Sequence, residues 1–223
     1  MDITVLFKLT YGLYVVGAFD EERPVGCIIN TCFQVTSQNP ILAISLNKNN
    51  YTLEAIRKTK RFSLSILAED SDATVIGGFG FRSSRDADKY EDYGYDTVEG
   101  APLVKGKFAG RLIFDALNFV DNETHVVVLA RLVETVAGEG TPMTYDYYHR
   151  VIKGKAPKNA PTYVAEDVKP KAEEKPAPST DTTKHRYQCI ICGHIVEAEG
   201  NLPDDYLCPL CKASKDKFER VMR

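Results

Sequence analysis

Tyr187-Gln-Cys189-Ile-Ile-Cys192-Gly193-His194, answered by Cys208-Pro209-Leu210-Cys211, contains two Cys-x-x-Cys pairs with fifteen residues between them. Each pair can turn both sulfurs toward one cation, and two such knuckles complete a tetrahedron of soft ligands suited to iron or zinc. Cys189, Cys192, Cys208 and Cys211 are the candidate metal ligands. A lobe this short cannot hold together by burial alone, so metal binding must supply much of its folding free energy. Spacing leaves two uses open: an iron centre that changes oxidation state, or a zinc ribbon that staples the lobe or docks a partner.

Working outward from the knuckles, residues 166–184 are dominated by Pro, Ala, Lys, Glu, Ser and Thr and contain no aromatic residue. Such a stretch cannot bury enough surface to offset the entropy of ordering it, and is expected to be a flexible tether averaging roughly 25 Å end to end. The expected division is a body over 1–165, a linker over 166–184 and a metal lobe over 185–223.

The body reads mainly as strands, over 13–19, 26–35, 41–46, 62–67, 108–116 and 125–136, all rich in β-branched or aromatic residues. Asp20-Glu-Glu-Arg23 is a polar break suited to a hairpin. Helical spacing appears over 51–60, and short helices are expected over 2–9 and 73–78. Many strands with short breaks predict a mainly β fold that closes, or nearly closes, into a barrel and so removes exposed edges.

A formal net charge of −3, with Lys and Arg scattered among Asp and Glu, provides no basic stripe for a phosphate backbone. Nucleic acid is not an expected partner. No signal peptide opens the sequence, no apolar run approaches membrane-spanning length, and the cysteines look metal-bound rather than bridged, so a cytoplasmic protein without membrane partners is expected. Cys27 and Cys32 lie in an apolar region and read as small buried hydrophobes.

Ser45-Leu-Asn47-Lys48-Asn49-Asn50-Tyr51-Thr52 runs from a strand into the helix over 51–60. Unpaired N–H groups at the helix start, hydroxyls from Ser45 and Thr52, and the Lys48 charge make this a candidate phosphate seat, with an ordinary N-cap by Asn50 as the alternative.

The knuckles with their flanks resemble rubredoxin in its short, rubrerythrin-type form, although Lys212 stands where that family usually has Gly. Leu9-Thr-Tyr11-Gly12-Leu-Tyr-Val15-Val16, Ile29-Asn30-Thr31-Cys32-Phe33-Gln34-Val35-Thr36 and Asn39-Pro40 resemble the flavin reductase family, whose fold is an FMN-binding split β-barrel of Greek-key type with a few short helices. The resemblance implies that Asn30, Thr31, Cys32, Gln34 and Val35 run along the isoalloxazine ring, and that Ser45, Asn47, Lys48, Asn50, Tyr51 and Thr52 grip the ribityl phosphate. Phe81, Arg82 and Lys89, the last within Asp88-Lys89-Tyr90, match the family's wall beside the cofactor. His125 matches a position near flavin and nicotinamide, with a loop hydrogen bond as its plainer use. Tyr145, Tyr147, Tyr148 and His149 read as packing rather than catalysis.

The whole arrangement resembles high-molecular-weight rubredoxins. That resemblance implies an oxidoreductase in which NAD(P)H reduces FMN and electrons leave singly through Fe(III)/Fe(II) held by four cysteines, reaching an external partner such as a flavodiiron protein. It also implies a homodimer. Two other readings stay open: a flavin reductase that releases reduced flavin, with a zinc ribbon for docking, and a flavin sensor without turnover.

Overall fold

A computed structural model describes residues 2–152, 154, 160–162, 184–190, 194–209 and 212–221. Apart from Lys184, the expected tether lies outside these residues, as does Gly193. The body contains strands β1 (Tyr14–Asp20), β2 (Arg23–Ile29), β3 (Cys32–Gln34), β4 (Ile41–Asn47), β5 (Arg61–Leu67), β6 (Tyr95–Val98), β7 (Ala101–Val104), β8 (Phe108–Asp121) and β9 (His125–Ala137). Two helices interrupt them, α1 (Tyr51–Thr59) and α2 (Thr74–Phe81). The expected first helix is a single 3-10 stretch over Ile3–Lys8.

Seven of these strands form one antiparallel sheet in the order β2-β1-β5-β8-β9-β4-β3. Its two margins, β2 and β3, are neighbours in the chain, separated only by Asn30 and Thr31. A sheet whose opposite margins are joined by two residues must curl until they meet, which makes a barrel split along one seam. The apolar run over 26–35, which reads as one strand, is therefore two: closure breaks it at Asn30-Thr31. The β1–β2 hairpin turns at Glu21-Glu22, with Asp20 opposite Arg23 and Glu21 in the left-handed region at φ 57°.

Alternation along the strands sends neighbouring side chains to opposite faces. Val16, Phe62, Leu64, Ile44, Phe114 and Val128 point into one core, which Leu53, Ala55 and Ile56 of α1 close like a plug. Asn50 caps α1 through its side-chain oxygen, which accepts the Thr52 N–H at 3.0 Å. On the other face Val15, Leu67 and Phe108 pack with Val75, Ile76 and Phe79 of α2 and with Met143 and Tyr148. The aromatic patch is thus packing, with Tyr148 buried and Tyr145 stacked beside it.

The hairpin β6–β7 has no counterpart in the sequence reading. It turns at Glu99-Gly100, both at positive φ (47° and 72°), the backbone that a two-residue hairpin turn requires. The long β8–β9 pair carries register shifts after Ile113 and Ala116 that bend it around the barrel.

The C-terminal lobe is a three-stranded sheet of β10 (Lys184–Cys189), β11 (Ile195–Glu199) and β12 (Phe218–Val221), ordered β11-β10-β12. Tyr187 ties it to the following turn by donating to Gly200 O at 2.7 Å. Cys189 and Cys208 are fully buried, packed with Ala213 and Phe218 of the lobe and with Ala73 and Phe81 of the body.

Candidate functional site

The seam gathers the first group of expected residues. Asn30 is buried, donates from Nδ2 to Thr162 Oγ1 at 2.7 Å and accepts from Thr31 Oγ1 at 3.0 Å. Thr162 in turn donates to the Tyr145 hydroxyl at 3.1 Å. Ser45 joins from β4, its N–H donating to Thr31 O at 3.4 Å. Gln34 instead donates its side-chain amide to Thr36 O, and Val35 is exposed on the β3 margin. Burial pushes the Cys32 thiol up to about 12, so this sulfur stays neutral beside the seam at physiological pH. Because β2 and β3 are the sheet's margins, their outer backbone groups are not used up by strand pairing; Gly26 on β2 is taken by Ser84 and Lys89, and the groups nearer the Asn30-Thr31 link can serve a ring with its own donors and acceptors.

The second group lies at the start of α1. Most N–H groups of this loop already have partners: Lys48 N with Thr124 O, Asn49 N with Asn47 Oδ1, Asn50 N with Asn47 O, and Leu53 N with Asn50 O. The Asn50 cap seen from sequence is therefore in place. What remains for an anion is the field at the helix start and nearby cations. Lys48 reaches Asp121 only at 3.9 Å with both side chains well exposed, a pairing worth little. The guanidiniums of Arg23 and Arg85 both approach the Tyr51 ring, 5.5 and 4.7 Å from its centroid, while its hydroxyl donates to Asp20. Hydrogen bonds from Lys58 and then Tyr51 hold the Asp20 carboxyl below its usual range. The Thr52 hydroxyl is buried beside the Cys27 thiol, which desolvation pushes upward while contact with Thr52 and Asn50 and the charge of Lys89 oppose the shift. His125 opens β9 directly across from Asn47, with Nδ1 2.8 Å from Thr124 Oγ1, so it belongs to this loop end.

The third group lines the β2 side. Lys89 is buried, donates to Gly26 O at 2.8 Å and Phe79 O at 3.0 Å, and lies over the Phe79 ring. Desolvation by burial lowers its pKa to about 8. With Ser84, which exchanges two hydrogen bonds with Gly26, it closes the outer edge of β2. Arg82 pairs with Asp92 at 3.1 Å, and Phe81 faces the C-terminal lobe. Ser84, Arg85 and Thr162 enter the site's surroundings without a sequence signal, since each is an ordinary loop residue until the fold brings it in, while Arg23 reads only as the end of a hairpin break and Tyr145 only as packing.

Of the four candidate metal ligands, Cys189 and Cys208 are described, and Cys192 and Cys211 lie outside the described residues. The two described thiols come from separate knuckles and are buried together. Backbone bonds shape each turn: Cys189 N to His194 O at 2.8 Å, Cys208 N to Ala213 O at 2.8 Å, and Lys212 N to Cys208 O at 2.9 Å. Among the described residues no three His, Cys, Asp or Glu side chains form a metal-binding group. Buried thiols converging from two knuckles suit a soft cation, and the seam with its electropositive helix start suits a flavin phosphate.

Comparison with known proteins agrees with both halves. Residues 6–154 match the flavin reductase like domain family, and residues 187–219 match the rubredoxin-like domain of rubrerythrin. The high molecular weight rubredoxin of Moorella thermoacetica is 36% identical over 237 residues, which cover 99% of this chain and 100% of that one. A ferric-chelate reductase (NAD(P)H) of Archaeoglobus fulgidus is 34% identical over 165 residues, covering 73% of this chain and 98% of its own. Flavoredoxin from Methanosarcina acetivorans shares the fold at 18% identity, with a TM-score of 0.54 over 60% of this chain and 74% of that chain. The chain is an oxidoreductase of the flavin reductase-like family, a homologue of high molecular weight rubredoxin in which that domain is fused to a C-terminal rubredoxin-like domain.

Proposed function

We propose that this protein takes a hydride from NADH or NADPH at an FMN held along the barrel seam and delivers electrons singly, through iron bound by its four C-terminal cysteines, to an external acceptor. When bound, FMN supplies two-electron chemistry and the four-thiolate iron one-electron chemistry, so their union is a two-to-one converter. Asn30, Thr31, Cys32, Gln34 and Val35 orient the ring, and the neutral Cys32 thiol adds no charge beside it. Ser45, Asn47, Lys48, Asn50, Tyr51 and Thr52 hold the phosphate end, with Lys48 exchanging its weak contact to Asp121 for the anion. His125 orients this end from its place opposite Asn47. Phe81, Arg82 and Lys89 form the wall on the β2 side.

The body over 1–165, the linker over 166–184 and the lobe over 185–223 act as donor site, tether and carrier. Exposed Leu117, Val120 and Val133 on β8 and β9 support pairing into a homodimer. Among the described residues no helix is long and apolar enough to cross a membrane, and the reading places the protein in the cytoplasm. A flavodiiron protein is the proposed acceptor, on the resemblance to high-molecular-weight rubredoxins.

The observation that carries this reading is the joining, in one chain, of a seamed flavin reductase barrel to two buried knuckle thiols. The test is the visible spectrum and metal content of isolated protein before and after anaerobic NAD(P)H. Bound flavin and iron should both bleach; colourless protein with zinc and no FMN would overturn it. The ferric-chelate reductase relative, which matches little beyond the body, favours a second reading in which the barrel serves a diffusible acceptor and the lobe binds zinc for docking. Flavin lost at each turnover would support that version.

A further inference from the structure

The sequence of α2, Thr-Val-Ile-Gly-Gly-Phe-Gly-Phe, contains no charged residue. A helix that is apolar all round is one that must be covered on every side. Its inner face is covered by the body through Val75, Ile76 and Phe79. Its outer side meets the C-terminal lobe: Ala73 at the N-cap and Phe81 at the last helical residue both pack against Cys189 and Cys208. Eight residues of helix span about 12 Å, so the cysteine cluster of the lobe is in contact with residues at both ends of α2. The far end of α2 is close to the seam, since a Cβ at Gly80 would stand 3.5 Å from Ile28, two residues before Asn30.

We propose that the outer face of α2, between Ala73 and Phe81, is the docking seat for the chain's own metal lobe, and that this docked pose is the one in which electrons enter the lobe. The inference rests on the function proposed above for its redox content, but the seat itself does not. Docking makes and breaks no covalent bond. It holds the buried cysteines beside the β2 margin and raises their effective concentration there over that of a freely tethered lobe. Phe81 is a positioning residue, the body's aromatic contact to the thiol cluster. Because α2 covers the cysteine cluster on this side, an external acceptor that needs this side of the cluster can reach it only after the lobe leaves its seat.

The discriminating variant is Ala73→Glu in the full-length protein. A carboxylate at the N-terminal end of α2 is compatible with that helix's own dipole, yet it sets a partly buried negative charge against the cysteine cluster. Ala73→Ser, small and uncharged, is the control. Small-angle scattering and anaerobic stopped-flow reduction by NAD(P)H are read on both, with metal and flavin content checked as equal. Ala73→Glu should enlarge the radius of gyration and slow iron reduction about tenfold or more, leaving flavin reduction unchanged, and Ala73→Ser should match the parent. An unchanged radius overturns the seat, and an enlarged radius with unchanged iron reduction overturns its role in electron entry. Iron that the parent never reduces through flavin would instead sink the proposed function while scattering still decides the seat.

Discussion

Two lysines have environments that run against their chemistry, and each gives a test. Lys212 follows the second knuckle with φ 58°, in the left-handed region where a Cβ is unfavourable and glycine is not. Replacing it by Gly should stabilise the metal lobe by about 0.5–1 kcal/mol, measured as a higher denaturant midpoint for metal release to a chelator. Lys89 is an amine buried between Gly26 O and Phe79 O. Its folded pKa lies near 8 against an ordinary 10.5, so between those values the unfolded chain binds more protons than the folded one. Stability contributed by this group therefore rises with pH across that window and is lowest below it. Lys89→Met should remove this rise while the loss of two carbonyl contacts costs about 1–3 kcal/mol at neutral pH, read from urea midpoints at pH 7 and 9.5.

At the level of elements, the outer edge of β2 depends on Ser84, whose hydroxyl is buried and pairs with both the N–H and C=O of Gly26. Ser84→Ala strands a buried N–H and should cost about 1–3 kcal/mol in urea unfolding, against a few tenths for an exposed serine. Strands β1, β4, β5 and β9 were legible because β-branched runs between polar breaks set their limits within a residue or so. The break at Asn30-Thr31 was not, because local pattern there is continuous and only closure of the sheet demands it. The β6–β7 hairpin escaped notice because Tyr95–Val98 is largely exposed and β7 contains Pro102, which argues against a strand. At the site, the Cys-x-x-Cys spacing announced itself, and so did the Asn50 cap. Resemblance singles out Lys89, but nothing in Asp88-Lys89-Tyr90 says that its amine ends between two carbonyls of α2 and β2.

For the molecule as a whole, barrel and lobe divide the chemistry, and a single thiol separates them. Cys189→Ser removes one soft ligand from the lobe and should abolish stable metal binding and delivery to the external acceptor. FMN binding and its reduction by NAD(P)H should persist within about twofold, as followed by flavin absorbance, because every residue proposed to touch flavin belongs to the body. The seam has a consequence of its own. Its two margins are stitched by the single Asn30-Thr31 link and otherwise meet without a shared ladder, so a ligand bridging them acts as a clasp on the barrel. Each tenfold rise in free flavin above its dissociation constant then adds about 1.4 kcal/mol against unfolding. Heat resistance of the barrel would then be a gauge of flavin supply.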